Sequence, residues 1–208
     1  GIVPTSIEFM DRLSVETSCK YLNEHLDYES CGSMLLIEVD GTTQDQVDGE
    51  AEMIGDLCME HQAIEVYVAD NYTTQERVWA VRRNIAEAFK VVSPHQSLED
   101  IVVPIAQIPA LTEEIAKLAV EFDLSMPSYG HAGDGNLHTT LIKPPEMPLD
   151  QWYTVEDKVL RRLYAAVMAL GGKLSGEHGI GIKRKAYYQD IADPHELDLM
   201  RTLKKALD

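Results

Sequence analysis

The chain has 208 residues, with 18 Lys and Arg against 35 Asp and Glu, a formal charge of −17 at pH 7, 45% hydrophobic and 25% charged residues. That is the profile of a globular chain long enough to bury a real core, and it excludes disorder. Nucleic acid is excluded as a partner too, because an acidic surface with no basic stripe has no source for the counterion release that drives such binding. Three cysteines, Cys19, Cys31 and Cys58, lack any CxxC spacing, which argues against a disulfide framework or a thiolate zinc site and places the chain in a reducing, cytoplasmic setting. No apolar run is long enough for a transmembrane segment, and residues 1–14 lack the basic and apolar regions of a secretory signal. Gly1 stands where a start Met is expected, so the chain is expected to be a piece of a longer one.

In chain order, Ser33 to Val39 is a short apolar run closed by Asp40-Gly41 and predicts a buried strand. Val47, Ala51, Ile54, Cys58 and His61 recur at helical spacing, and Ala63 to Ala69 returns to strand alternation. Thr73 and Glu76 fit a capping box before one helix over about Thr74 to Lys90. Ser93-Pro94 breaks the pattern, Ile101 to Val103 predicts a strand, and Leu111, Ile115, Leu118 and Phe122 mark a helix. Strands over Leu124 to Tyr129 and Leu137 to Ile142 flank a glycine-rich loop. A long amphipathic helix then carries Trp152, Val155, Val159, Leu163, Val167 and Leu170, stops at Gly171-Gly172, and is followed from about Lys183 by helix interrupted near Asp193-Pro194. The expected fold is α+β: a ferredoxin-like antiparallel sheet with helices on one face and a helical C-terminal part.

Two segments carry the chemistry. In Ser128 to His138, SYGHAGDGNLH, Gly130, Gly133 and Gly135 permit a tight loop, and His131 and His138 bracket it at the mouth of two strands. Two imidazoles and a carboxylate from elsewhere make a divalent-metal site, with Zn or another first-row ion equally acceptable. A plain hairpin with surface histidines is the alternative; a phosphate cradle is a weaker one, since the Gly-Lys-Ser/Thr and helix start of a P-loop are missing. Lys173 to Lys185, KLSGEHGIGIKRK, sets Glu177 and His178 among Gly176, Gly179 and Gly181. Neighbours in an extended loop point opposite ways, so Glu177 completes the metal set while His178 faces a substrate as acid or base; the alternative is an exposed loop at a helix end. Arg82 and Arg83, in VWAVRRNI, offer a planar fork for a substrate carboxylate, against the common case of solvated helix-surface arginines.

GHAGDGNLH and SGEHGIGIKRK, together with IVPTSIEFMDRLSV, LLIEVDG, RVWAVRRNI and EDIVVP, resemble the C-terminal domain of FAD-linked oxidases of the vanillyl-alcohol-oxidase superfamily, over essentially all of residues 1–208. That group holds the glycolate oxidase FAD subunit, D-lactate dehydrogenases and D-2-hydroxyglutarate dehydrogenase. The resemblance implies that His131, His138 and Glu177 hold a divalent metal, His178 is the active-site base, Asn136 lies near the flavin and Arg82 grips the substrate carboxylate. It also implies an N-terminal FAD-binding domain ahead of this region as partner, so that residues 1–208 alone are a substrate (cap) domain, inactive by itself. Members often carry Lys or Arg just before the EDIVVP-like strand or right after its proline, where this chain has Leu98 and Ile105. The function so implied is flavin-dependent oxidation of a small D-2-hydroxy acid to the 2-oxo acid, with an electron-accepting subunit as a further partner. A stand-alone module binding metal and 2-hydroxy acid without redox activity is the alternative, and a metal-dependent hydrolase a third reading.

Overall fold

The computed structural model describes residues 1–208. Five strands, β1 (Ser6–Asp11), β2 (Ser33–Glu38), β3 (Gln96–Val102), β4 (Ser128–His131) and β5 (Asn136–Ile142), form one sheet in the order β2-β1-β4-β5-β3, with every pair antiparallel. The α+β class and the antiparallel sheet stand as expected. Eight helices accompany it: α1 (Arg12–Leu22), α2 (Gln44–Glu60), α3 (Tyr72–Arg83), α4 (Ile85–Val92), α5 (Ile108–Phe122), α6 (Leu149–Ala169), α7 (Lys185–Ile191) and α8 (Pro194–Leu207). None is long and apolar enough to cross a membrane.

Helical cover extends to both faces of the sheet, because every residue of β5 is buried and its two faces each need a partner. Leu137 and Leu141 point into a large core with Ile101, Leu111, Ile115 and Leu163, under α5 and α6. Ile142 joins Met10, Tyr129, Val15, Val81, Ile85 and Phe89 in a smaller core under α1, α3 and α4. β1 and α1 were not read from the pattern, since β1 alternates Glu8 and Met10 inward on one face with Ile7 and Phe9 on the other, without a polar side. Asp11 joins the two elements: its Oδ1 accepts from Ser14 N (2.8 Å) as an N-cap, and its Oδ2 accepts from Ser128 N (2.6 Å) at the start of β4.

Three expectations about local structure need correction. Ala63 to Ala69 is not a strand; alternation records a propensity, whereas a strand requires a partner edge. The segment runs beside α2, with Val66 packed over Gly55, and leaves Ile64 and Val68 63% and 70% exposed. The single helix over Thr74 to Lys90 is two, α3 and α4, parted at Asn84 (φ −98°, ψ 4°), whose Nδ2 donates to Ala80 O (2.8 Å) and competes with the helical ladder. The cap of α3 is Asn71, which accepts from Thr74 N (3.0 Å), in place of a Thr73/Glu76 box. α6 ends as expected, with Gly171 at φ +79° just beyond it.

Candidate metal centre

The face of the sheet under α1, α3 and α4 carries two rows of polar side chains. Register places Met10 opposite Tyr129, Tyr129 opposite His138, and His138 opposite Asp100, across β1, β4, β5 and β3. The adjacent row sets Glu8 opposite His131 and His131 opposite Asn136. Residues paired across antiparallel strands share a face, so these six polar and aromatic groups converge by topology alone. The turn joining the rows is tight at Gly135 (φ +87°), where a Cβ would stand 1.9 Å from Val103 O.

The second loop leaves α6, bridges Lys173 to Val102, and folds over this face. Asp100, fully buried, is what holds it there. Its Oδ2 accepts from Ser175 Oγ (2.8 Å), Glu177 N (3.0 Å) and His178 N (2.7 Å), while its Oδ1 accepts from Asn136 Nδ2 (2.7 Å). Burial pushes its pKa up, but the donors from Asn136, His178, Glu177 and Ser175 outweigh that and hold the carboxyl well below the usual carboxylate range. Gly176 is glycine because a Cβ there would lie 1.7 Å from Asn136 Nδ2. From behind, the same loop is tied by fully buried Glu99, which bonds Tyr164, Lys183 Nζ (2.5 Å) and Arg184 Nε (3.3 Å), while Arg184 Nη1 donates to Gly179 O (3.2 Å).

His131, His138 and Glu177 come together, one ligand atom from each lying within 4.8 Å of the others. His138 Nε2 stands 3.4 Å from Glu177 Oε1, and the His131 and His138 rings meet edge to face at 6.1 Å. Two features suit a divalent ion. His138 Nδ1 is buried with no partner, and burial pushes the imidazole down to about 4, so the ring is neutral with one nitrogen lone pair to give. His131 Nδ1 lies 2.7 Å from Glu8 Oε1, which leaves Nε2 for an ion. Asp100, His138 and His178 make a second close group, but the Asp100 oxygens are already filled by four donors.

His178 does not point away from Glu177 as an extended loop would require. The segment bends, and His178 stacks on His138 (5.2 Å, 12°) with Nε2 3.5 Å from Glu177 Oε1. Asn136 is buried, its Nδ2 held by Asp100 and its Oδ1 unpartnered. Arg82 lies against Tyr129 (5.0 Å to the ring centroid), but its Nε (2.8 Å) and Nη2 (2.6 Å) both go to Glu8 Oε2, so the fork is spent within the protein and Nη1 remains. Arg83 faces outward and pairs with Glu76 (2.9 Å). Glu8 and Asp100 are the participants that pattern reading missed; the available signal was an acid on the inward-facing alternation of an apolar strand, Glu8 with Met10 and Asp100 beside Ile101.

A family model described as FAD linked oxidases, C-terminal domain, matches residues 1–208. The chain is 30% identical over 212 residues to a D-lactate dehydrogenase of Anaerostipes hadrus, covering 100% of this chain and 44% of that protein. It is 31% identical over 210 residues to the glycolate oxidase subunit GlcD of Bacillus subtilis, covering 100% and 43%. Among solved structures, alkyldihydroxyacetonephosphate synthase superposes with a TM-score of 0.51 at 14% identity, over 90% of this chain and 38% of that one, a likeness of fold. The domain built from this antiparallel sheet and its two glycine loops is thus of the type found at the C-terminus of FAD-linked oxidases. The chain belongs to the FAD-linked oxidase family, and it spans less than half the length of the curated relatives it matches.

Proposed function

We propose that this chain is the substrate- and metal-binding domain of a cytoplasmic, flavin-dependent dehydrogenase or oxidase of a small D-2-hydroxy acid, acting with an FAD-binding domain N-terminal to it. The observation that carries the reading is the convergence of His131, His138 and Glu177 from two separate loops, with His178 stacked beside them. When bound, a divalent ion supplies Lewis-acid polarisation of the substrate oxygens and FAD supplies the hydride acceptor.

The chain's own residues do the rest. Arg82 offers Nη1 to the substrate carboxylate while Glu8 keeps the guanidinium fixed, which trades a bidentate grip for a pre-set single contact. His178, half-exposed and anchored through its backbone N–H by Asp100, takes the proton of the C2 hydroxyl. Asn136, held by Asp100 through Nδ2 and keeping a buried, unpartnered Oδ1, is the residue of this chain assigned to the flavin edge. Leu98 and Ile105, in place of cations, leave Arg82 as the anchoring charge, which favours a substrate with one carboxylate, such as D-lactate or glycolate, over a diacid.

The test has two parts. Elemental analysis of the chain purified without chelator is expected to show close to one equivalent of a divalent metal, lost in His138→Ala. The chain joined to an FAD-binding domain from a matched relative is expected to reduce an artificial electron acceptor with a D-2-hydroxy acid. Metal binding without any such turnover would leave the binding-module alternative; the absence of both metal and turnover would overturn the reading.

A further inference from the structure

Glu8 lies on neither glycine loop, yet it joins two of the groups that matter. It is 3% exposed, sits on β1 directly across from His131 on β4, and divides its two oxygens between them: Oε1 to His131 Nδ1 at 2.7 Å, Oε2 to Arg82 Nε and Nη2 at 2.8 and 2.6 Å. Arg82 in turn lies over the Tyr129 ring, which also meets the His138 ring at 5.3 Å between centroids. A carboxylate taken out of water needs a cation and a filled set of hydrogen bonds to be tolerated, and Arg82 supplies the first. What remains of Glu8 accepts from the histidine.

From this geometry we propose that Glu8 is a positioning residue that couples the ion-binding and acid-binding halves of the site. By accepting from Nδ1–H it fixes His131 in the tautomer whose Nε2 lone pair faces the ion. By holding Nε and Nη2 of Arg82 it presents Nη1 alone to the substrate. The two halves share one carboxylate, so a disturbance at either is felt at the other: loss of Arg82 leaves Glu8 buried without its cation and loosens His131. The inference rests on the metal-centre reading for its consequence, and on the Glu8–His131–Arg82 contacts for its cause.

The experiment reads both separately. Zn²⁺ is titrated into the 208-residue chain against a chromophoric chelator, for the wild type, His138→Ala, Glu8→Gln and Arg82→Gln, with circular dichroism recorded on each. Glu8→Gln is expected to weaken Zn²⁺ about 10- to 100-fold, as removal of a partner behind a ligating histidine does. Arg82→Gln, which removes no contact to the ion, is expected to weaken Zn²⁺ severalfold through Glu8. Unchanged affinity in a folded Glu8→Gln, with His138→Ala strongly impaired, overturns the proposal and leaves the metal centre standing. Equal affinity for His138→Ala and wild type instead overturns the metal centre.

A second measurement needs neither metal nor substitution. Long-range ¹H–¹⁵N correlation of the metal-free wild type at pH 8 is expected to show His131 with its proton on Nδ1. A ring carrying its proton on Nε2 overturns the role of Glu8 even if every variant misfolds.

Discussion

His178 and Arg82 occupy the same face of the sheet and are expected to fail differently when removed. His178 makes no side-chain bond that the fold depends on, so His178→Ala in the enzyme joined to its FAD-binding domain is expected to lower kcat by roughly 10²- to 10⁴-fold with metal content unchanged. Arg82→Ala is expected to raise KM about tenfold or more, with a smaller effect on kcat, by the loss of one charge-assisted bond. The same change strips the cation from Glu8, so the variant is also expected to lose about 3–5 kcal/mol of stability in urea, a cost His178→Ala does not share. Asp100 gives a third behaviour. Its folded pKa is depressed, so its ionised form contributes stability above the unfolded value of about 3.9, and that contribution is lost as pH falls toward the folded value. Urea denaturation is expected to show Asp100→Asn less stable than wild type by about 3 kcal/mol at pH 7, with the gap narrowing below pH 4.

At the level of elements, the two glycine loops differ in how much each glycine is needed. Gly135 combines φ +87° with a Cβ position 1.9 Å from a backbone oxygen that β3 cannot move, whereas Gly181, at φ +54°, has nothing within 4 Å of its Cβ position. Gly135→Ala is expected to cost more than about 3 kcal/mol and Gly181→Ala about 1 kcal/mol, measured as unfolding free energies under one condition. Most of the elements around these loops could be read from the sequence because they carry one-sided patterns: α5 and α6 show a single apolar stripe. The run from Ser33 is a strand as read, but an edge strand with no buried residue in place of the buried one expected. β1 escaped because both of its faces are covered, and a strand buried on both sides loses its period-two signature. The break at Asn84 escaped because VRRNIAEA keeps helical spacing through it; only the side-chain bond back to Ala80 O reveals it. Among the site residues, His131, His138 and Glu177 were legible from residue type on glycine loops. Their second partners were not, because Glu8 and Asp100 reach the site through strand register, which a linear pattern does not contain.

Over the whole molecule, burial is concentrated where β4, β5, α5 and α6 meet, and it thins toward β2 and α2. No side chain of α2 is buried, and no Lys or Arg occurs between Lys20 and Arg77, so this flank gathers acidic residues around exposed Met53, Leu57 and Ile64. Isolated helices gain little stability in water without tertiary packing, and α2 has only the partial cover of the segment that carries Val66. The molecule should therefore keep two clocks. Amide protons of Gln44–Glu60 are expected to exchange for deuterium within seconds to minutes, while those of β5 wait for global unfolding, as read by mass spectrometry of peptic fragments. A protease that cuts after glutamate should score the same difference, nicking Glu50, Glu52 or Glu60 long before any bond in the sheet, while trypsin finds no target anywhere along that flank.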